Sequence, residues 1–149
     1  MKCCYLEFQP DARGFGRLVM HNDSLMIHDY PARTGYISAR GSLINAISSG
    51  VWTGRTPPVM TIERAMWIAG PDHGWKYRLW DPRGRWTHFL IHPDGNLPGS
   101  DGCIVIQGTD APELFQTLTK IYTLQKIIPV FIGVPVPESG DVTPYLMAA

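Results

Sequence analysis

Apolar and polar positions alternate along much of this chain, so short strands are its main expected element. Tyr5-Leu6-Glu7-Phe8 opens with a β-like rhythm, and 17–20 and 24–28 read as two strands about a His21-Asn22-Asp23 turn. Residues 59–68, 103–106 and 127–134 are further strand candidates. Residues 75–80 and 85–91 predict a hairpin around Asp81-Pro82-Arg83-Gly84, a strong turn sequence. Two segments follow a helical rhythm instead. One is short, 41–49, with Leu43, Ile44 and Ile47 on one side and Gly50 as its stop. The other opens at Asp110, with Pro112 in its first turn and Glu113 as a capping-box partner, and places Leu114, Phe115, Leu118, Ile121 and Tyr122 on one face. Arg55-Thr56-Pro57-Pro58 is irregular or extended, and the Pro-rich tail over 134–149 reads as extended coil. The pattern predicts one mainly β domain spanning 1–149, a sandwich or barrel with one substantial α-helix.

Composition narrows this picture without changing it. A chain of 149 residues, 44% hydrophobic, can bury a core without metal or disulfide staples. Thirteen basic side chains balance thirteen acidic ones, which argues against a nucleic-acid partner held through its phosphates. Cys3 and Cys4 are adjacent and point to opposite faces of a strand, read here as an edge strand; with Cys103 they make an odd number and no disulfide framework. Glu7, Asp11 and Arg13 interrupt any apolar segment of a secretory signal, and no run of about 18 apolar residues exists to cross a membrane. The expectation is a chain synthesised in the cytoplasm without a signal peptide.

The chemistry concentrates in Thr87–Ile106, where a hydrophobic strand ends on His92, a Gly- and Pro-rich loop follows, and Ser100-Asp101-Gly102-Cys103 leads into a second apolar strand. His92 and Cys103 are 11 positions apart, and a loop folded back on itself sets an imidazole beside a thiol at the ends of neighbouring strands. An imidazole can take the thiol proton and leave a reactive thiolate. Gly102 permits a tight turn just before the nucleophile. That turn aims the amides of Gly102 and Cys103 at a developing oxyanion, where removal of one such donor costs roughly 2.7–4 kcal/mol. Asp101 or Ser100 either ties the loop or orients the histidine; the residues leave this open. The blander reading of the same pattern is a buried cysteine and a strand-end histidine that packs.

Ile91-His92, followed by Ser100-Asp101-Gly102-Cys103-Ile104, resembles the active-site region of the L,D-transpeptidase catalytic domain. The likeness continues through Asp110-Ala111-Pro112-Glu113-Leu114 and Pro129-Val130-Phe131-Ile132, and is thinner over 25–35 and Thr56-Pro57. Asp101 stands where that family has histidine, and Val105 where it has arginine. A short His-to-Cys loop resembles the compact branch that includes type VI secretion effectors and phage-borne proteins.

The resemblance implies that Cys103 attacks the meso-diaminopimelate carbonyl of a peptidoglycan tetrapeptide stem and expels D-alanine. His92 acts as base and then acid, Gly102 and Cys103 hold the oxyanion, Asp101 assists, and Ser100 and His88 contact substrate; no metal or cofactor is involved. Water, a free D-amino acid or a second stem's amine resolves the acyl-enzyme, giving L,D-carboxypeptidase, exchange or cross-linking activity, and the short loop and compact size favour the first two. It further implies delivery to the periplasm or cell wall by a secretion system or phage, as an antibacterial toxin with an immunity partner. Two rivals stand beside this reading. In a zinc-dependent peptidase, His88 and His92 would join Cys103 or Asp101 as ligands. In a non-catalytic cell-wall-binding module, Trp75, Tyr77, Trp80 and Trp86, interleaved with Lys76, Arg78, Arg83 and Arg85, would grip sugar or peptide.

Overall fold

The computed structural model describes residues 3–23, 25–61, 74–94, 101–107 and 109–146. The strands are β1 (Cys4–Phe8), β2 (Phe15–Asn22), β3 (Leu25–Thr34), β4 (Tyr36–Ile37), β5 (Leu43–Ile44), β6 (Gly50–Gly54), β7 (Val59–Met60), β8 (Trp75–Trp80), β9 (Trp86–Pro93), β10 (Ile104–Ile106) and β11 (Ile128–Ile132). Helix α1 (Ala111–Leu124) separates β10 from β11. The sheet order β6-β11-β1-β2-β3-β10-β9-β8 closes into a barrel because β6 also pairs with β8 at Thr53 and Trp80. Beyond the Pro57-Pro58 break, β7 continues along β8 at Lys76 and Trp75. The fold is thus mainly β with a closed barrel and a single helix among the described residues. Among the described residues no helix is long and apolar enough to cross a membrane.

Period-two alternation builds the core. Leu6, Phe8, Leu18, Met20, Tyr30, Ala32, Tyr77, Leu79, Ile91, Ile104 and Ile106 point inward and are sealed from solvent. Ala111, Leu114, Leu118 and Ile121 of α1 join the same cluster. Trp75 ties the helix start to the barrel by donating Nε1–H to the Ala111 carbonyl at 3.0 Å.

Several sequence expectations meet a different outcome. Residues 41–49 are not helical; β4 and β5 pair there as a two-stranded ribbon. Ser38 Oγ accepts the amides of Arg40 and Ser42, and Gly41 and Asn45 take φ values of 81° and 58°. So short a segment lacks the length to repay helix nucleation once its amides have other partners. The capping box at α1 is not made: Asp110 gives no side-chain cap, and Glu113 instead accepts from Tyr30 Oη at 3.3 Å and pairs with His28 Nδ1 at 3.2 Å. Strand β1 is not an edge but lies between β11 and β2. Cys3 and Cys4 do face opposite ways, Cys4 against the main core and Cys3 into an outer cluster with Tyr5, Phe131 and Val142. That cluster is roofed by the tail, where Val134, Val136 and Leu146 pack and Thr143–Tyr145 form a 3-10 turn. The expected strand 59–68 is described only as far as residue 61, and the rest lies outside the described residues.

Candidate active site on the outer face of the barrel

Strands β9 and β10 run parallel, with Ile91 opposite Ile104 and His92 opposite Val105. Continuing that register by one residue sets Cys103 beside Leu90, and the Leu90 backbone hydrogen-bonds the Cys103 sulfur. Since Ile91 and Ile104 fill the interior, Leu90, His92, Cys103 and Val105 face outward. Leu90 and Val105 are nevertheless buried and belong to neither apolar cluster. The outer face at Leu90, His92 and Val105 is therefore shielded from solvent, an environment in which thiol and imidazole chemistry responds strongly to nearby charge.

His92 is 7% exposed. Its Nδ1 lies 2.7 Å from the Pro93 carbonyl oxygen; a carbonyl only accepts, so Nδ1 carries the proton and Nε2 is left as the basic nitrogen. A backbone carbonyl thus orients the ring. Asp101 is exposed and engaged elsewhere: Asn45 Nδ2 donates to its Oδ1 at 3.0 Å, tying the turn before Cys103 to the loop after β5. Burial pushes the Cys103 thiol above its ordinary value; the Leu90 hydrogen bond and Arg78 pull it down, and Asp101 pushes it up.

Gly102 has φ 99°, and a Cβ there would lie 2.5 Å from Cε1 of Phe89. Both the left-handed backbone and the Phe89 ring exclude a side chain from the turn that delivers Cys103. His88 is exposed on the same outward row of β9, edge-on to Trp86 with ring centroids 4.6 Å apart. Arg78 lies over Trp86 at 4.5 Å and donates Nη1–H to the Thr87 carbonyl at 2.7 Å. Of the expected aromatic platform, Trp75 and Tyr77 turn into the core, whereas Trp86 is 53% exposed. Ser100 lies outside the described residues. Among the described residues no three His, Cys, Asp or Glu side chains come together as a metal site.

Three residues join this face without having been singled out as part of the site. Arg33 on β3 pairs with Val105, the position where the resembled family carries arginine, and its guanidinium lies 4.5 Å from the Phe15 ring centroid. Asp94 follows β9, its amide bonded to the Ile106 carbonyl at 2.8 Å, and Gln107 Nε2 donates to its Oδ2 at 3.3 Å. Burial raises the Asp94 carboxyl above its ordinary value, against the pull of Gln107, Arg33 and His92. Arg33 Nε and Asp94 Oδ1 are buried without a hydrogen-bond partner among the described residues, a state that costs about 1–3 kcal/mol per group. Arg33 is 70 residues from Cys103 in sequence, so only strand pairing signals its place; the Arg33 to Phe15 and Arg33 to Val105 registers are not written in local pattern.

Comparison with protein-family models, curated proteins and solved structures finds no match for this chain.

Proposed function

We propose that the chain is a cysteine-nucleophile enzyme of the L,D-transpeptidase type, acting on peptidoglycan stem peptides. The observation that carries the reading is the parallel β9–β10 register, which sets Cys103 and His92 on one covered face with the imidazole tautomer set by Pro93. Supporting it, Gly102 adopts a backbone that only glycine accommodates beside Phe89.

In the proposed reaction Cys103 Sγ attacks the carbonyl of the diaminopimelate residue, and its proton passes to His92 Nε2. The amides of Gly102 and Cys103 receive the oxyanion. As the tetrahedral intermediate collapses, the carbon–nitrogen bond to D-alanine breaks and His92 returns the proton to the departing amine. Attack on the thioester by water gives hydrolysis; attack by the amine of a D-amino acid gives exchange. A partially buried thiol with a raised pKa needs the imidazole as base, because little free thiolate exists at neutral pH. Within this reading, a secretion machine or phage brings the chain to the periplasm, and an immunity protein guards its producer.

The test is incubation of the protein with disaccharide tetrapeptides, with and without D-methionine, followed by mass spectrometry. Loss of D-alanine, or its replacement by D-methionine, that disappears in Cys103→Ala supports the proposal. Full activity in Cys103→Ala, or unchanged muropeptides with the native chain, removes it.

A further inference from the structure

The face that carries Cys103 and His92 holds a second pair of groups that acyl transfer does not use. Phe15, Arg33, Val105 and His92 form one continuous rung across β2, β3, β10 and β9. Next along the same face stand Gln107 and Asp94, one residue past the paired Ile106 and Pro93. Arg33 presents a buried donor, Nε, and Asp94 a buried acceptor, Oδ1, and neither meets a partner among the described residues. Arg33 and His92 both act electrostatically on Asp94, yet the two unpartnered atoms do not bond each other. The stacking on Phe15 fixes the plane of the Arg33 guanidinium.

The other charged groups around Cys103 are committed. Arg78 gives Nη1–H to Thr87 and stacks on Trp86, and Asp101 is held by Asn45. We infer that Arg33 and Asp94 form a subsite for the head group of an α-amino acid, with Arg33 taking its carboxylate and Asp94 its ammonium. A guanidinium matches a carboxylate through parallel donors, and a carboxylate that only accepts matches an ammonium that only donates. A zwitterion offers an anion to the Arg33 guanidinium and a cation to the Asp94 carboxylate at once, whereas an anion alone would face Asp94 and a cation alone would face Arg33. Two sources carry this head group: a free D-amino acid, and the distal amino-acid end of diaminopimelate in a stem peptide. The role in acyl transfer rests on the function proposed above, since the head group would lie beside the thioester; the binding itself does not.

The experiment follows iodoacetamide labelling of Cys103 in the full chain by peptide mass spectrometry, so that reaction at Cys3 and Cys4 is read separately. The probes are D-methionine, its methyl ester, N-acetyl-D-methionine, and a tripeptide ending in meso-diaminopimelate. A zwitterion at about ten times its dissociation constant slows labelling about tenfold. The ester and the N-acetyl compound, each short of one charge, leave the rate near that of the free protein. Arg33→Met and Asp94→Asn both lose the protection. Protection by D-methionine assigns the subsite to the acceptor, and protection by the tripeptide alone assigns it to the stem. Equal protection by all the methionine compounds, or protection by no zwitterion, overturns the inference, and the ligand series does so in the native chain whatever the variants do. Thioester formation with a disaccharide tetrapeptide is measured in parallel by intact mass. Zwitterion protection without acylation would keep the subsite and remove the enzyme; acylation without protection would do the reverse.

Discussion

At the scale of single residues, the site combines a thiol whose pKa is raised with an arginine that opposes the rise. Burial favours the protonated thiol and Arg78 favours the thiolate. The rate of Cys103 alkylation should therefore climb with pH through a midpoint above the ordinary thiol value of about 8.5, and Arg78→Met should move that midpoint higher still. Peptide-resolved alkylation across pH 6 to about 10.5 measures both; a midpoint that falls in Arg78→Met would contradict the assignment. Asp94 gives a stability prediction of definite sign. Its carboxyl is raised in the folded chain, so its contribution is fully present below its unfolded pKa of about 3.9 and is lost as pH rises through the folded value. Asp94→Asn should accordingly raise Tm at pH 7 and leave it nearly unchanged at pH 3, as calorimetry at both values would report. His92 and Cys103 were legible as a pair because a strand ending, a glycine-rich loop and a second strand are local patterns. Arg33 and Asp94 were not, because a side chain's place across a sheet depends on the register of distant strands.

At the scale of elements, two glycines mark where backbone and ring compete for one space. Gly54 on β6 would carry a Cβ only 1.9 Å from the Tyr77 hydroxyl of β8, at the seam that closes the barrel. Gly102 is placed likewise against Phe89 on the turn into β10. Gly102→Ala meets both the positive φ and the ring contact, and should cost about 1–3 kcal/mol and lower acylation, read by thermal melts and by thioester yield. Tyr77 supplies the opposite case. Its hydroxyl is fully buried without a hydrogen-bond partner among the described residues, and burial drives its pKa far upward. Tyr77→Phe removes an unsatisfied donor and should stabilise the chain by about 1 kcal/mol in urea unfolding; a loss of stability would show that the hydroxyl has a role the packing does not reveal. The β8–β9 hairpin was readable from its turn, since Asp81 Oδ1 accepts the amides of Arg83 and Arg85 at 2.9 Å each, an interaction complete within five residues. The ribbon of β4 and β5 was not. Its apolar spacing suits a helix equally well, and the choice was made by contacts from outside the segment, such as the Ile47 amide on Thr34 Oγ1 at 2.9 Å.

At the scale of the whole molecule, the first and last strands lie side by side. β1 lies parallel to β11, with Leu6 opposite Val130 and Phe8 opposite Ile132, and Gln125 beyond α1 bonds both the amide and the carbonyl of Cys4. The tail then folds over the outer side of these strands and buries Val142 against Cys3, Tyr5 and Phe131. Truncation after residue 134 should uncover that cluster. The buried Val142 alone is worth about 1.5–3 kcal/mol, and Cys3 should become open to thiol reagents in the truncated chain while it resists them in the full one. Unchanged Cys3 labelling and melting would show that the tail is an appendage. Because β9 and β10 sit on the other side of the ring from β1, Cys103 labelling provides an internal control for local against global loss of structure.

The chain by itself determined most of its strands, the helix over Ala111–Leu124 and the β8–β9 turn, because each rests on interactions within a few residues: side-chain alternation, helical spacing and an Asp-Pro-x-Gly turn. Tertiary structure decided what depends on register and closure. It placed β1 in the middle of the sheet, oriented His92 by the Pro93 carbonyl, sent Asp101 to Asn45 and Glu113 to His28 and Tyr30, and brought Arg33 and Asp94 to the face of Cys103. These outcomes turn on which distant strands pair and by how many residues they are offset, a choice made by burial of the whole apolar set at once.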